Sequence, residues 1–177
     1  MINRRNFLQS SALGLSEVSL GSLASKSVIA QSIGSPMTLF PVALLNGETF
    51  EPSQSKGNLV ALYFFTTSCR ACGYELPYIR DLYNEHKSKG VTILGLNVGD
   101  DQENVLSWTK KLNLSFPVAI ASADYKATYL RGTATPTSHI GGRDGNLRLS
   151  YFGEPCFQLG LVRNTVKSIL DEPRPAT

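Results

Sequence analysis

Apolar residues in this chain fall into two patterns. Leu59-Val60-Ala61-Leu62-Tyr63-Phe64-Phe65 and Val91-Thr92-Ile93-Leu94-Gly95-Leu96-Asn97-Val98 are near-continuous apolar runs, as expected of strands covered on both faces. Elsewhere the spacing is helical. Leu76, Ile79, Leu82 and Tyr83 predict a helix from the cysteines at 69 and 72 to about Lys89, kinked at Pro77. Asp100 or Asp101 caps a second helix running to about Leu112, with Val105, Trp108 and Leu112 on one face. Phe116 to Ile120 predicts a short strand, and Asp124 to Leu130 a short helix ended at Arg131-Gly132. Thr137 to Ile140 and Asn146 to Phe152 predict strands on either side of a glycine-rich turn, and Phe157 to Leu170 a last amphipathic helix stopped by Pro173. Near the start, the apolar run Leu39 to Leu45, then Asn46-Gly47 and Thr49-Phe50, predicts a hairpin. Lys56-Gly57-Asn58 makes a turn. The order is a hairpin, then β-α-β-α-β-α, then β-β-α. It predicts an α/β domain: a central mixed sheet with helices on both faces.

Composition narrows this little. The 177 residues suit one domain and a leader, and 42% apolar with 18% charged residues is ordinary for a globular protein. Charge is unevenly placed. Residues 1–30 carry Arg4, Arg5 and Lys26 against Glu17, a net of +2, so the rest of the +3 chain is nearly neutral. It has no basic stripe to neutralise phosphates, which argues against nucleic acid as a partner.

Residues 1–30 have a basic start, a mildly apolar middle and small residues at Val28-Ile29-Ala30, the layout of an export signal. Arg4-Arg5-Asn6-Phe7-Leu8 resembles the twin-arginine signal. Its longest uncharged run, Asn6 to Ser16, is too short to span a bilayer, and no later segment qualifies. The expected organisation is an export signal over 1–30, a Ser-Gly-Pro-rich linker over 31–37, one domain over 38–170 and a tail over 171–177. Export places the cysteines in an oxidising compartment, the periplasm.

Three cysteines cannot build a disulfide scaffold. Cys69-Arg70-Ala71-Cys72 follows a buried strand and opens a helix, the context of a redox C-x-x-C. A helix start offers free N–H groups and the positive end of the helix dipole, which stabilise a thiolate at Cys69, and the adjacent Arg70 acts the same way. Cys72 lies one turn deeper, within reach of a mixed disulfide on Cys69. Cys69 is thus the expected nucleophile and Cys72 the resolving thiol. Two structural cysteines at this spacing are the bland reading. Zinc requires four ligands, and only His86 and His139 are available besides the cysteines, so no metal is expected. Cys156 reads as a small core residue, His139 as a strand residue and His86 as a solvated one.

The stretch FFTTSCRACGYELP, residues 64 to 77, resembles the active-site segment of the TlpA/ResA-like branch of the thioredoxin superfamily, which reads F-W-A-x-W-C-x-x-C-x-x-E-[ML]-P. Asn46-Gly47, Lys56-Gly57, the segment from Val91 to Ile120, and Thr135-Pro136-Thr137 with Asp144-Gly145 match the family's further landmarks, so the resemblance covers about residues 38 to 170. It implies a thioredoxin-like fold with an N-terminal hairpin and a central βα insertion. The implied activity is thiol-disulfide exchange, most often reduction of protein disulfides, with no cofactor beyond a Cys69–Cys72 disulfide. Implied partners are disulfide-bonded client proteins, commonly in cytochrome c maturation, and a membrane or periplasmic dithiol donor; a monomer is expected. The resemblance gives Glu75, one turn after Cys72, the role of exchanging its proton. It makes Pro136 cis, placing Thr135 beside Cys69 to pair with an extended client, with Arg70 and Ala71 on the same surface. Tyr63 stands where minimal thioredoxins carry a buried Asp. Phe65 and Ser68 replace the family's tryptophans, and Arg70-Ala71 its usual Pro-containing dipeptide.

Two rival functions use the same residues. Thr66-Thr67-Ser68-Cys69 fits the T-x-x-C of thiol peroxidases, although Leu62 stands in place of their upstream proline. Cys69 and Cys72 with His139 would suit Cu(I) in a copper chaperone of thioredoxin fold, although those proteins separate their cysteines by three residues.

Overall fold

The computed structural model describes residues 31–130, 132, 134–153 and 159–174. The expected export signal, Arg131, Cys156 and residues 175–177 lie outside the described residues.

Five strands form the main sheet: β3 (Leu59–Phe65), β4 (Val91–Asn97), β5 (Val118–Ile120), β6 (Thr137–Gly141) and β7 (Leu147–Phe152), in the order β5-β4-β3-β6-β7. β3, β4 and β5 run parallel; β6 is antiparallel to β3, and β7 to β6. β1 (Val42–Ala43) and β2 (Thr49–Phe50) make a separate antiparallel hairpin at Asn46-Gly47. The helices are α1 (Arg70–His86), α2 (Gln102–Lys111), α3 (Ala123–Tyr125), which widens into a π-helical turn over Lys126–Leu130, and α4 (Leu159–Asp171). The fold is thioredoxin-like, with a mixed sheet flanked by helices.

Alternation along the central strands divides the core. Leu59, Tyr63 and Phe65 of β3 and Val91 and Ile93 of β4 face one layer, with Leu76, Ile79 and Leu82 of α1, Val105 of α2 and Val162, Val166 and Ile169 of α4. Val60, Leu62, Phe64, Leu94 and Leu96 face the other, with Val42, Phe50, Tyr125 and Tyr129. Both faces are therefore covered, as the unbroken apolar runs require. Three helices share one face; the hairpin and α3 cover the other.

Several boundaries differ from expectation, each for a local reason. The run Leu39 to Leu45 is not one strand. Pro41 has no N–H, and the Phe40 backbone is bound on both sides by the Tyr125 hydroxyl, which accepts from its N–H at 3.1 Å and donates to its carbonyl at 2.8 Å. Leu44 and Leu45 instead bond across to β5. β5 begins at Val118 because Pro117 cannot donate; its carbonyl accepts from Gly95 N. Gly95 itself is packed closely, since a Cβ there would stand 3.0 Å from the Phe116 ring. α1 runs unbroken through Pro77 to His86 and closes with a 3-10 turn at Lys87–Lys89, where Gly90 takes φ 84°. Of the two cap candidates expected for α2, Asp101 is the one that serves. His86 is not solvated: its side chain is 11% exposed beside Glu85. Residues 31–37, expected as a linker, hydrogen-bond to β7 and the turn before it through Gly34 N, Ser35 O and Met37 N.

Candidate active site

β3 delivers the chain to one end of the sheet at Phe65, and four residues later Cys69 caps the start of α1. Cys69 is the N-cap: its backbone is extended and its sulfur accepts a hydrogen bond from Cys72 N at 3.1 Å. The two sulfurs form a disulfide with Cα atoms 5.3 Å apart. Their surroundings differ. Cys69 is half-buried at the rim, whereas Cys72 is fully buried among Tyr63, Phe65 and Leu76. Arg70 is exposed and lies over the exposed Tyr74 ring, 5.8 Å from its centroid, with Ala71 half-buried next to it.

The loop Thr66-Thr67-Ser68 is tied from two sides. Asp100 accepts from Thr67 N at 2.6 Å and from Asn97 Nδ2 at 2.7 Å. Burial works against its charge, but the Asn97 and Thr67 hydrogen bonds outweigh it and hold the carboxyl below the usual range. Thr66 Oγ1 lies 3.3 Å from Thr135 Oγ1. That contact brings in the loop before β6, where the Thr135–Pro136 peptide is cis, as the resemblance implies. The antiparallel pairing of Phe64 with Thr137 carries this loop to the same end of the sheet as the cysteines.

Glu75 is fully buried on α1, one turn beyond Cys72. Tyr63 donates to its Oε2 at 2.7 Å and Tyr151 to its Oε1 at 2.6 Å. Burial pushes its carboxyl above the usual carboxylate range, and the bonds from Tyr151 and Tyr63 pull part of the way back. Burial, reinforced by the Glu75 charge, drives both phenols far above the ordinary tyrosine value, so they stay protonated donors.

The structure thus brings Cys69, Cys72, Glu75, Arg70, Ala71, Thr135 and Pro136 to one end of the sheet. It does not bring His139. Leu62 pairs with His139, so the imidazole pleats to the opposite face, 4.7 Å from the Tyr129 ring and bonded through Nδ1 to Ser150 Oγ at 2.7 Å. Among the described residues no cluster of three or more His, Cys, Asp or Glu could hold a metal. The peroxidase pattern also lacks its proline for a structural reason: Leu62 is fully buried in the middle of a central strand, where a proline would remove a ladder donor. Asp100 and Tyr151 escaped the sequence reading. In the sequence Asp100 reads only as a helix cap, and nothing local ties Tyr151 to a residue 76 positions away.

A disulfide at a strand-to-helix junction, beside a cis-proline loop and over a buried carboxyl, defines a thiol-disulfide oxidoreductase of thioredoxin fold. The comparisons agree. Residues 33–150 match the AhpC/TSA family, and the chain belongs to it. It is 36% identical over 126 residues to the thiol-disulfide oxidoreductase ResA of Bacillus cereus, covering 69% of this chain and 70% of that one. Among solved structures it resembles a thioredoxin-family thiol:disulfide interchange protein of Chlorobium tepidum, with TM-score 0.71 and 24% identity over 80% of this chain and 99% of that one. It also resembles a putative thioredoxin of Neisseria meningitidis, with TM-score 0.66 and 26% identity over 78% and 91% of the two chains.

Proposed function

We propose that the protein is a reductase of protein disulfides in the periplasm, reached by the twin-arginine-like leader. The observation that carries the assignment of roles is the difference between the two sulfurs. Cys69, at the rim and at a helix start, attacks the client disulfide as a thiolate and forms a mixed disulfide, releasing one client sulfur as a thiolate. Cys72, buried beneath it, loses its proton to Glu75 and attacks Cys69 Sγ. That breaks the mixed disulfide, frees the second client sulfur as a thiolate and leaves Cys69–Cys72 oxidised. Two electrons pass from the dithiol to the client, and a dithiol donor restores the pair. Thr135 and cis-Pro136 offer the extended client a backbone edge beside Arg70 and Ala71. Cytochrome c precursors are one client class the family resemblance supports, and the protein acts as a monomer without a bound cofactor. No described helix is long and apolar enough to cross a membrane.

A glutathione-buffer titration of the pair tests the direction. A potential near that of thioredoxin, about −270 mV, is expected; one near −120 mV would make the protein an oxidant instead. Rapid turnover of peroxide with Cys69 as the sole oxidised cysteine would favour the peroxidase reading.

A further inference from the structure

Glu75 is held by an arrangement that its proton-exchange role alone does not require. Tyr63 in β3 pairs with Ser138 in β6, and Ser138 with Tyr151 in β7, so the three form one row across the sheet on the face that carries α1. Two tyrosines two strands apart, roughly 10 Å, converge on one carboxyl over the small serine between them. Each oxygen of Glu75 takes one phenolic O–H.

We propose that Tyr63 and Tyr151 are positioning residues that keep Glu75 a carboxylate with both oxygens committed as acceptors, ready to take the Cys72 proton. The inference rests on the proton-exchange reading of Glu75 and says what makes it possible in so buried a place. A neutral carboxyl has one O–H to donate and cannot accept equally at both oxygens, so protonation forces one phenol to turn or lose its bond. The clamp therefore favours the ionised form against the burial that opposes it. The ionisable groups facing Glu75 are Tyr63 from β3, Tyr151 from β7 and Cys72 from its own helix, with Tyr78 near Tyr151. β6 contributes the neutral Ser138 and α4 the apolar Val162 and Val166. No cation compensates the charge among these groups, so the two hydroxyls do it. During exchange, the Cys72 proton moves to a Glu75 oxygen and one phenol yields. When the proton leaves, the clamp closes again.

The test follows the reduced full-length protein reacting with 5,5′-dithiobis(2-nitrobenzoate) by stopped flow. The first release of thionitrobenzoate reports attack by Cys69, and the second reports resolution by Cys72. Rates are taken from about pH 5 to 9 for wild type, Tyr63→Phe, Tyr151→Phe, the double variant, Glu75→Gln and Glu75→Gln with Tyr63→Phe. The second phase is expected to move its midpoint upward by about one pH unit for each hydroxyl removed. The first phase stays put, and Tyr63→Phe adds no shift once Glu75 is Gln. If both phenylalanine variants keep the wild-type profile while Glu75→Gln changes it, the clamp is wrong and the proton-exchange reading survives. If Glu75→Gln also keeps the wild-type profile, that reading fails as well. A readout independent of any phenylalanine variant's folding is the infrared difference between wild type and Glu75→Gln at neutral pH. It should show an ionised carboxylate at Glu75, and a neutral acid band would overturn the clamp.

Discussion

Cys72→Ser leaves Cys69 at the helix start with its backbone donor in place, but removes the thiol that releases a client. Clients should then accumulate as mixed disulfides on Cys69, visible by non-reducing electrophoresis and mass spectrometry, while turnover falls by roughly two orders of magnitude or more. Cys69→Ser should abolish both adducts and turnover. Trapping by Cys69→Ser instead would reverse the roles. At this scale the sequence exposes some residues and hides others. Cys69, Cys72 and Glu75 follow one another at steps of three, so spacing puts them along one helix face, and the family resemblance gives Glu75 its role. Tyr63 is marked by carrying the one hydroxyl in an otherwise apolar strand, since a buried tyrosine hydroxyl needs a partner. Its partner is readable only once α1 is laid on β3. Tyr151 enters through the pairing of β6 with β7, and no local pattern encodes a contact made across three strands.

Between β3 and α1 the chain must turn from a strand into a helix and hold Cys69 still while it reacts. Asp100, from the loop after β4, performs that through the Thr67 N–H, and Asn97 orients the carboxylate. Asp100→Ala should slow thiol exchange about tenfold and lower the melting temperature by a few degrees, as expected for about 1–2 kcal/mol in a domain of this size. Asp100→Asn keeps an acceptor oxygen and should recover most of the rate. An exchange rate unchanged in Asp100→Ala would mean that the Thr66–Thr135 contact suffices to order the loop. Legibility of elements follows the same division. β3 was readable to the residue because a doubly covered strand is apolar throughout, and β4 to within one residue, since Val98 at the end of its apolar run lies outside the strand. The run from Leu39 was not, because Pro41 and the distant Tyr125 hydroxyl take its first residues out of the hairpin. The short α3 reads as an ordinary helix, but its second turn is π-helical, with Tyr125 and Tyr129 both buried in the core layer beneath the hairpin.

Across the whole molecule, Glu75 in one core layer and His139 in the other are buried ionisable groups that act on stability with opposite sign. On the face away from the cysteines, burial pushes His139 down to about 4, so its imidazole enters the fold neutral. An unfolded histidine takes its proton near 6.5. Between those values the unfolded chain binds the extra proton, so stability must fall as pH falls from about 6.5 to about 4, by about 3 kcal/mol, and then level off for this group. Glu75 has the opposite sign. Its folded value is raised, so its contribution is complete below the unfolded carboxylate range and is lost as pH rises through the folded value. Urea denaturation of the oxidised protein, in which neither Cys69 nor Cys72 titrates, separates the two groups. His139→Gln should remove the loss on acidification and leave the loss as pH rises from the carboxylate range, and Glu75→Gln should do the reverse. A His139→Gln protein that still loses the full increment between about pH 6.5 and 4 would mean that the imidazole is charged in the fold. The opposing signs partly cancel where the two windows overlap, so each single variant should expose a pH dependence that the wild type conceals.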